Sequence, residues 1–341
     1  MCEISADFST ITGSDASVRE VERIWRMLEY VERFRLAVPQ RVDLSSLDDS
    51  LGSPDAPAVA VLKHTHVDAH GIARHLQAEL TGRGLSVIVE PGYRFSLASQ
   101  PVGQTAAAPV VAIDPQIATM ASVAGLPPRR GRRVAVLDTG HLGSPKATMV
   151  DLLHGQAIEV PPDDVHGHGT AVAQLIAAIN PAADVSAVRI VAANLTTSAE
   201  LLCGLVYAMW SKKFDVVNVS LSAHLPGGCA TMLGTSLDMV LQVCKQGGAT
   251  IPYLIAAAGN TTTGHQFGYP AQLPDAVVVL AWDWANQPAL YNVGIPGSIQ
   301  AVYATGGDVT QHFGTITRAG QSQRLYGTSF AAAVATAHLT L

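Results

Sequence analysis

Hydrophobic and polar positions follow two different styles along this chain, and the change falls near residue 110. In the first part Val18, Val21, Ile24, Trp25, Leu28, Val31 and Phe34 recur at three-and-four spacing, which predicts an amphipathic helix over 17–37. Ser17 and Glu20 form a capping-box pair at its start, and Pro39 stops it. A polar, turn-rich stretch fills 40–56. A βαβ-like unit follows, with a strand over 58–62, a helix over 69–81 and a second strand over 86–89 after Gly82 and Gly84. The stretch 99–109, rich in Pro, Gly, Gln and Ala, has linker character. It separates a smaller α+β region over 1–100 from a larger unit over 101–341.

From 132 onward apolar strands alternate with helices. Val134-Ala135-Val136-Leu137 is a near-continuous apolar run of the kind buried on both faces of a parallel sheet, and it ends at Asp138. Further strands are predicted over 185–191, 216–221, 251–258 and 276–281, with helices over 169–179, 199–211 and 231–246. This alternation predicts an α/β, three-layer architecture with a mainly parallel twisted sheet. Ligands in such sheets collect at the carboxyl ends of the strands. Asp138 and Asn260 both stand just past a predicted strand end.

Composition narrows the picture. At 341 residues, 48% hydrophobic, 14% charged and with 30 Gly, the chain suits a tightly packed α/β interior. A net charge of −6 argues against nucleic acid as a partner, because such binding needs a concentrated basic surface. The basic cluster Arg129-Arg130-Gly131-Arg132-Arg133 is short and reads as a solvated turn before a strand. No run of 18 apolar residues occurs, so no membrane span is expected. The first fifteen residues carry Glu3, Asp7 and Asp15 and lack the apolar stretch of a secretory signal. Cys2, Cys203, Cys229 and Cys244 form no CxxC pair and read as reduced, mostly buried thiols. Together these features predict a cytoplasmic protein. His64, His66, Asp68 and His70 set a His-x-His pattern that could ligate a metal, yet no barrel follows; surface histidines are the better reading, and no metal is expected.

The chemistry-bearing residues lie elsewhere. His168 sits in His166-Gly167-His168-Gly169-Thr170 at the start of an apolar helix, with His166 as the competing base. Ser329 sits in Gly327-Thr328-Ser329-Phe330-Ala331, where small residues open another helix. A serine there has its backbone N–H pointing outward and a favourable dipole for a developing oxyanion. Asn260 ends Ala256-Ala257-Ala258-Gly259-Asn260 and offers a side-chain amide. Each signal is weak alone. Acyl transfer, however, needs a nucleophile, a base, an orienting carboxylate and an oxyanion donor, and the set Asp138, His168, Asn260 and Ser329 supplies one of each.

With those residues in view, the region from about 105 to 341 resembles the catalytic domain of the subtilisin-like serine proteases. The matching stretches are Val136–Gly140, His168–Thr170, Asp215–Leu221, Ala257–Asn260 and Gly327–Ser329. Separations of 30, 92 and 69 residues between Asp138, His168, Asn260 and Ser329 fit that layout. The resemblance implies a subtilisin-like fold and a serine endopeptidase with Asp138, His168 and Ser329 as its triad and Asn260 in the oxyanion hole. It also implies that Ser220, Leu221 and Ser222 pair with an extended peptide, and that Ala257, Ala258, Gly259 and Gly268 line the pocket for the residue before the cut. With no carboxylate at those positions, a large apolar residue is expected there.

Departures from the pattern shape further expectations. Ser222 replaces the usual glycine, and Ala333 replaces a proline after the nucleophile. The connection from Ile179 to Ala187 is too short for the calcium loop of many relatives, so no cofactor is expected. Only twelve residues follow Ser329. Region 1–100 reads as a pro-region, as a retained domain that recognises a specific peptide or protein, or as a self-association element. The lack of a signal favours the second, a dedicated intracellular processing protease. The alternative is a non-hydrolytic binding scaffold of the same fold.

Overall fold

The computed structural model describes residues 2–29, 31, 36–64, 68–96, 108–127, 131–143, 149–152, 158–192, 195–211, 213–222, 229–260, 268–294 and 301–341. Most of the expected linker over 99–109 lies outside them, as do Phe34, His66 and Arg129-Arg130. In chain order the first part comprises β1 (Cys2–Ser14), α1 (Asp15–Ile24), β2 (Gln40–Arg41), β3 (Pro57–Lys63), α2 (Ala69–Gly82) and β4 (Val87–Ser96). The chain continues with β5 (Val110–Ile113), α3 (Pro115–Met120), β6 (Val123–Ala124), β7 (Arg133–Asp138), β8 (Met149–Asp151), β9 (Ile158–Val160), α4 (His168–Ile179) and β10 (Asp184–Arg189). There follow β11 (Leu195–Thr197), α5 (Ser198–Trp210), β12 (Val216–Val219), α6 (Cys229–Gln246) and β13 (Tyr253–Ala257). Last come β14 (Ala276–Trp282), β15 (Ala301–Thr305), β16 (Gly314–Arg318), β17 (Gln321–Arg324) and α7 (Thr328–Leu339).

The larger sheet has nine strands in the order β6-β15-β14-β13-β12-β7-β10-β8-β9. Neighbours from β15 to β8 are parallel, and the edge strands β6 and β9 are antiparallel. Successive side chains of a strand point to opposite faces. Val134 and Val136 of β7 therefore pack with α4 and α7, while Ala135 and Leu137 pack with α5 and α6. Both faces are apolar, which is why the strands read as continuous hydrophobic runs. In α7 every residue but His338 is buried, and its alanines let strands and helix α4 approach closely. The α/β architecture matches the sequence expectation, as do the five expected strands and three helices, while β6, β8, β9 and β15 of this sheet and the small β5-β16-β17 sheet were not expected.

The first part is built differently. Its sheet has five strands in the order β11-β4-β1-β3-β2, antiparallel at each pairing. The expected βαβ unit is split, because β1 lies between β3 and β4. Strand β1 was hidden in the sequence: Ser9, Thr10 and Thr12 are fully buried, so no apolar alternation marks it. One face, carrying Ile11, Ala60, Leu62 and Val89, packs on α1 and α2. The other, carrying Val59 and Tyr93, packs on α5 and α6 of the larger unit. Edge strand β11 belongs to the larger unit in sequence yet pairs with β4.

Two expectations are corrected here. Helix α1 starts at Asp15, with the Ser14 hydroxyl accepting the Ser17 N–H, rather than at a Ser17–Glu20 box. It ends at Ile24 in a 3-10 turn over Trp25–Met27, after which Leu28 is extended, so 17–37 is not one helix. Trp25 and Leu28 stay in the same core, so the burial pattern survives the break. His64 is not a surface histidine: it is buried, with Nε2 3.1 Å from the Ser9 hydroxyl. Asp68 caps α2 by accepting the Gly71 N–H. Among the described residues no helix is long and apolar enough to cross a membrane.

Candidate active site

Strand β7, hydrogen-bonded on both sides, carries Asp138 to the carboxyl edge of the sheet at 0% exposure. Its carboxylate accepts the Thr139 N–H at 2.8 Å and faces His168, whose Nδ1 donates to both oxygens at 2.8 and 2.9 Å. The opening of α4 is pinned against the strand end, where the Gly169 N–H donates to the Thr139 hydroxyl at 2.8 Å. A Cβ on Gly169 would collide with the Gly140 carbonyl, so glycine is what permits this approach.

Asp164, fully buried, was missed by the sequence reading and organises the loop before α4. One of its oxygens accepts the N–H groups of His166 and Gly167; the other accepts the Thr170 N–H and hydroxyl. It stands four residues ahead of the helix, whose N-cap position is held by Gly167, so the sequence pattern did not single it out.

Burial disfavours the charged imidazolium of His168, but the charge of Asp138 and its hydrogen bond outweigh that, and the group titrates above the ordinary histidine value. His166 behaves oppositely. It is 2% exposed, neither ring nitrogen has a protein partner, and burial followed by the neighbouring His168 pushes it down to about 4. Its ring lies 6.2 Å from that of His168. Only His168 touches the carboxylate, which resolves the competition between the two bases.

Gly327, at φ 135°, turns the chain into α7 and places Ser329 in the first turn at 8% exposure. Thr328 anchors Asn260: its N–H and hydroxyl donate to Asn260 Oδ1 at 2.8 and 2.9 Å, while that hydroxyl accepts the Gly259 N–H at 3.1 Å. With Oδ1 so held, Nδ2 is the end of the amide that can donate to a ligand. The role of Thr328 was not foreseen, although the residue stands in the quoted Gly327–Ser329 stretch.

The Ser329 hydroxyl donates to the Ser220 carbonyl at 2.8 Å, and the Ser220 hydroxyl contacts Asn218 Oδ1 at 2.8 Å and the Ser329 carbonyl at 3.0 Å. Asn218 in turn donates to the Thr336 hydroxyl at 2.9 Å, tying β12 to α7. His168, Asn260 and Ser329 line one cavity of about 560 Å³ together with His166, Leu325 and Tyr326. Asp138 lies beneath. Thus all four expected residues meet.

The positions expected to pair with substrate, Ser220, Leu221 and Ser222, continue β12 past its end, beside Ala257 at the end of β13 and Ala258 and Gly259 beyond it. The Gly268 N–H donates to the Ser222 hydroxyl at 3.2 Å. Among the described residues no three His, Cys, Asp or Glu side chains converge as a metal site would require.

Comparison with known proteins adds an independent line. The profile of the subtilase family, Peptidase_S8, matches residues 130–341. A thermostable alkaline protease of Halalkalibacterium halodurans is 31% identical over 173 residues, covering 48% of this chain and 44% of that protein. Subtilisin Savinase of Lederbergia lenta is 31% identical over 176 residues, covering 48% of this chain and 60% of that protein. The chain thus spans about half the length of these curated relatives. Among solved structures, the prenylagaramide maturation protease PagA aligns with a TM-score of 0.45 at 25% identity, over 60% of this chain and 72% of that one.

Proposed function

Since this chain belongs to the subtilase family, we propose that it is a serine endopeptidase that cleaves peptide bonds through an acyl-enzyme on Ser329. One observation carries the reading: His168 Nδ1 is bound to both oxygens of the buried Asp138, and that imidazole shares a cavity with Ser329 and Asn260. Attack requires the Ser329 hydroxyl to leave the Ser220 carbonyl for the imidazole that shares its cavity. His168 accepts its proton as the oxygen attacks the scissile carbonyl, and Asp138 holds the tautomer and stabilises the imidazolium. Asn260 Nδ2 and the Ser329 N–H, at the positive end of α7, receive the oxyanion. His168 then protonates the leaving amine, and water repeats the sequence on the acyl-enzyme.

The base must be neutral to act. A raised value for His168 therefore places the acid limb of kcat/KM above the ordinary histidine value, with activity lost as pH falls through it. We assign the substrate as a specific peptide or protein processed inside the cell and delivered by the first region. That region supports this role by docking on α5 and α6 and sharing strand β11, which leaves it fixed beside the peptidase unit.

A non-hydrolytic scaffold is favoured by one observation, the Ser329 hydroxyl engaged with Ser220 rather than His168. Turnover of a fluorogenic unfolded protein by the full chain separates the two. The peptidase reading expects hydrolysis that disappears in Ser329→Ala; a folded wild-type protein without turnover supports the scaffold.

A further inference from the structure

We propose that Ser222 is a specificity-determining residue that closes the acyl-side slot and restricts cleavage to peptides with a small residue, of alanine size or less, before the scissile bond. This rests on the peptidase reading above and names its substrate class.

The site's own geometry places the slot. A peptide whose carbonyl carbon meets Ser329 and whose oxygen meets Asn260 Nδ2 has its leaving amine toward His168, in the cavity those residues line. Its acyl side then lies between the ends of β12 and β13, the strands that lead to Ser220 and to Asn260. These strands are paired in register up to Val219 and Ala256. Beyond that point a side chain entering between them meets Ser222.

Ser222 is 6% exposed and bridges three main-chain segments with one hydroxyl. It donates to the Ala258 carbonyl at 3.3 Å on the opposite wall and accepts the Gly268 N–H at 3.2 Å at the base. Glycine at this position would leave the base open; the bridging hydroxyl occupies it. A leucine or phenylalanine side chain would have to break both contacts and leave the Ala258 carbonyl and Gly268 N–H without Ser222. The large apolar preference expected from glycine-lined walls is therefore replaced by a small one.

The test compares three peptide p-nitroanilides that differ only in the acyl-side residue, alanine, leucine or phenylalanine, with enzyme normalised by fluorophosphonate titration of Ser329. Wild type is expected to show kcat/KM for alanine at least ~10-fold above phenylalanine, the scale on which pocket volume discriminates. Ser222→Gly should shift that ratio by ~10-fold or more toward phenylalanine, chiefly through KM. Ser222→Ala, which keeps Cβ and removes the bridge, should fall between them and guards against a folding defect in the glycine variant. The ranking is also read without turnover, as the Kd of Ser329→Ala protein for the uncleaved peptides, so a failure of catalysis remains distinct from a failure of this assignment. Equal cleavage or binding of the alanine and phenylalanine peptides by wild type would overturn it, as would an unmoved ratio in a titratable Ser222→Gly.

Discussion

The reacting centre and the contact between the two sheets differ in how they hold most of their buried polar groups, His166 being the unpartnered exception at the centre. At the carboxyl edge of the nine-stranded sheet Asp138, Asp164, Asn218, Ser220 and Thr328 are all buried, and each is held by hydrogen bonds to named partners. In the five-stranded sheet Glu90 is 0% exposed, and among the described residues no hydrogen bond of good geometry reaches its two oxygens, although the hydroxyls of Thr10 and, from α6, Ser236 stand close enough to favour its charged form. Thr10 lies directly across the ladder from Glu90, and Ser236 belongs to α6 of the larger unit. The unsatisfied groups therefore sit where the first region docks on the second. A satisfied buried network fixes a single geometry, as a reacting site needs, whereas an unsatisfied one weakens the contact it lies in. The contrast separates a rigid centre from a joint of lower stability.

The strongest way to break the comparison is to disturb the satisfied network. Asp138→Asn keeps the shape but removes the charge that holds the His168 tautomer, and kcat should fall by about 10⁴-fold in a peptide hydrolysis assay. A loss below tenfold would show that the carboxylate does not organise the base. Next in size, Asn260→Ala removes Nδ2 and should cost ~10²–10³ in kcat with little change in KM, read by steady-state kinetics.

The smallest effect tests the joint. Burial pushes the Glu90 carboxyl up to about 8, with the Ser236 and Thr10 hydroxyls pulling weakly downward. Asp238 and Tyr269 lie in the same neighbourhood, and Tyr269 is raised by burial, then by Asp238 and Glu90. A raised acid binds more protons folded than unfolded. Its contribution is fully present below about pH 4.5 and lost as pH rises toward 8. Stability should therefore fall across that window, by at most about 1 kcal/mol per pH unit from this group. Glu90→Gln should flatten that part of the profile in thermal melts taken from pH 5 to 9. A wild-type profile with no such slope would remove the pH-sensitive joint from the account.

Legibility in the sequence followed the same divide. Strands β7, β12, β13 and β14 were plain because both faces bury apolar side chains, so hydrophobic runs end where the sheet ends. The four chemical groups were plain because each sits at a strand end or a helix start with its small neighbours. Strand β1 was not, since Thr10 and Thr12 fill a face covered by α6 of the larger unit, and that tertiary cover leaves no local pattern. Asp164 and Thr328 were overlooked for a related reason: their partners, Thr170 and Asn260, are set by the fold rather than by adjacent residues. Ser222 was noticed as a departure, but its bridge to Ala258 and Gly268 needs the two strand ends in space.

The central claim is that Asp138 and His168 activate Ser329. Reaction of the 341-residue chain with a fluorophosphonate, with the modified residue located by mass spectrometry of its peptides, tests this most directly. The account predicts a single adduct on Ser329, faster as pH rises through the His168 titration and slowed by orders of magnitude in His168→Ala. Folded protein left unmodified at Ser329, or labelled equally fast without His168, would contradict it.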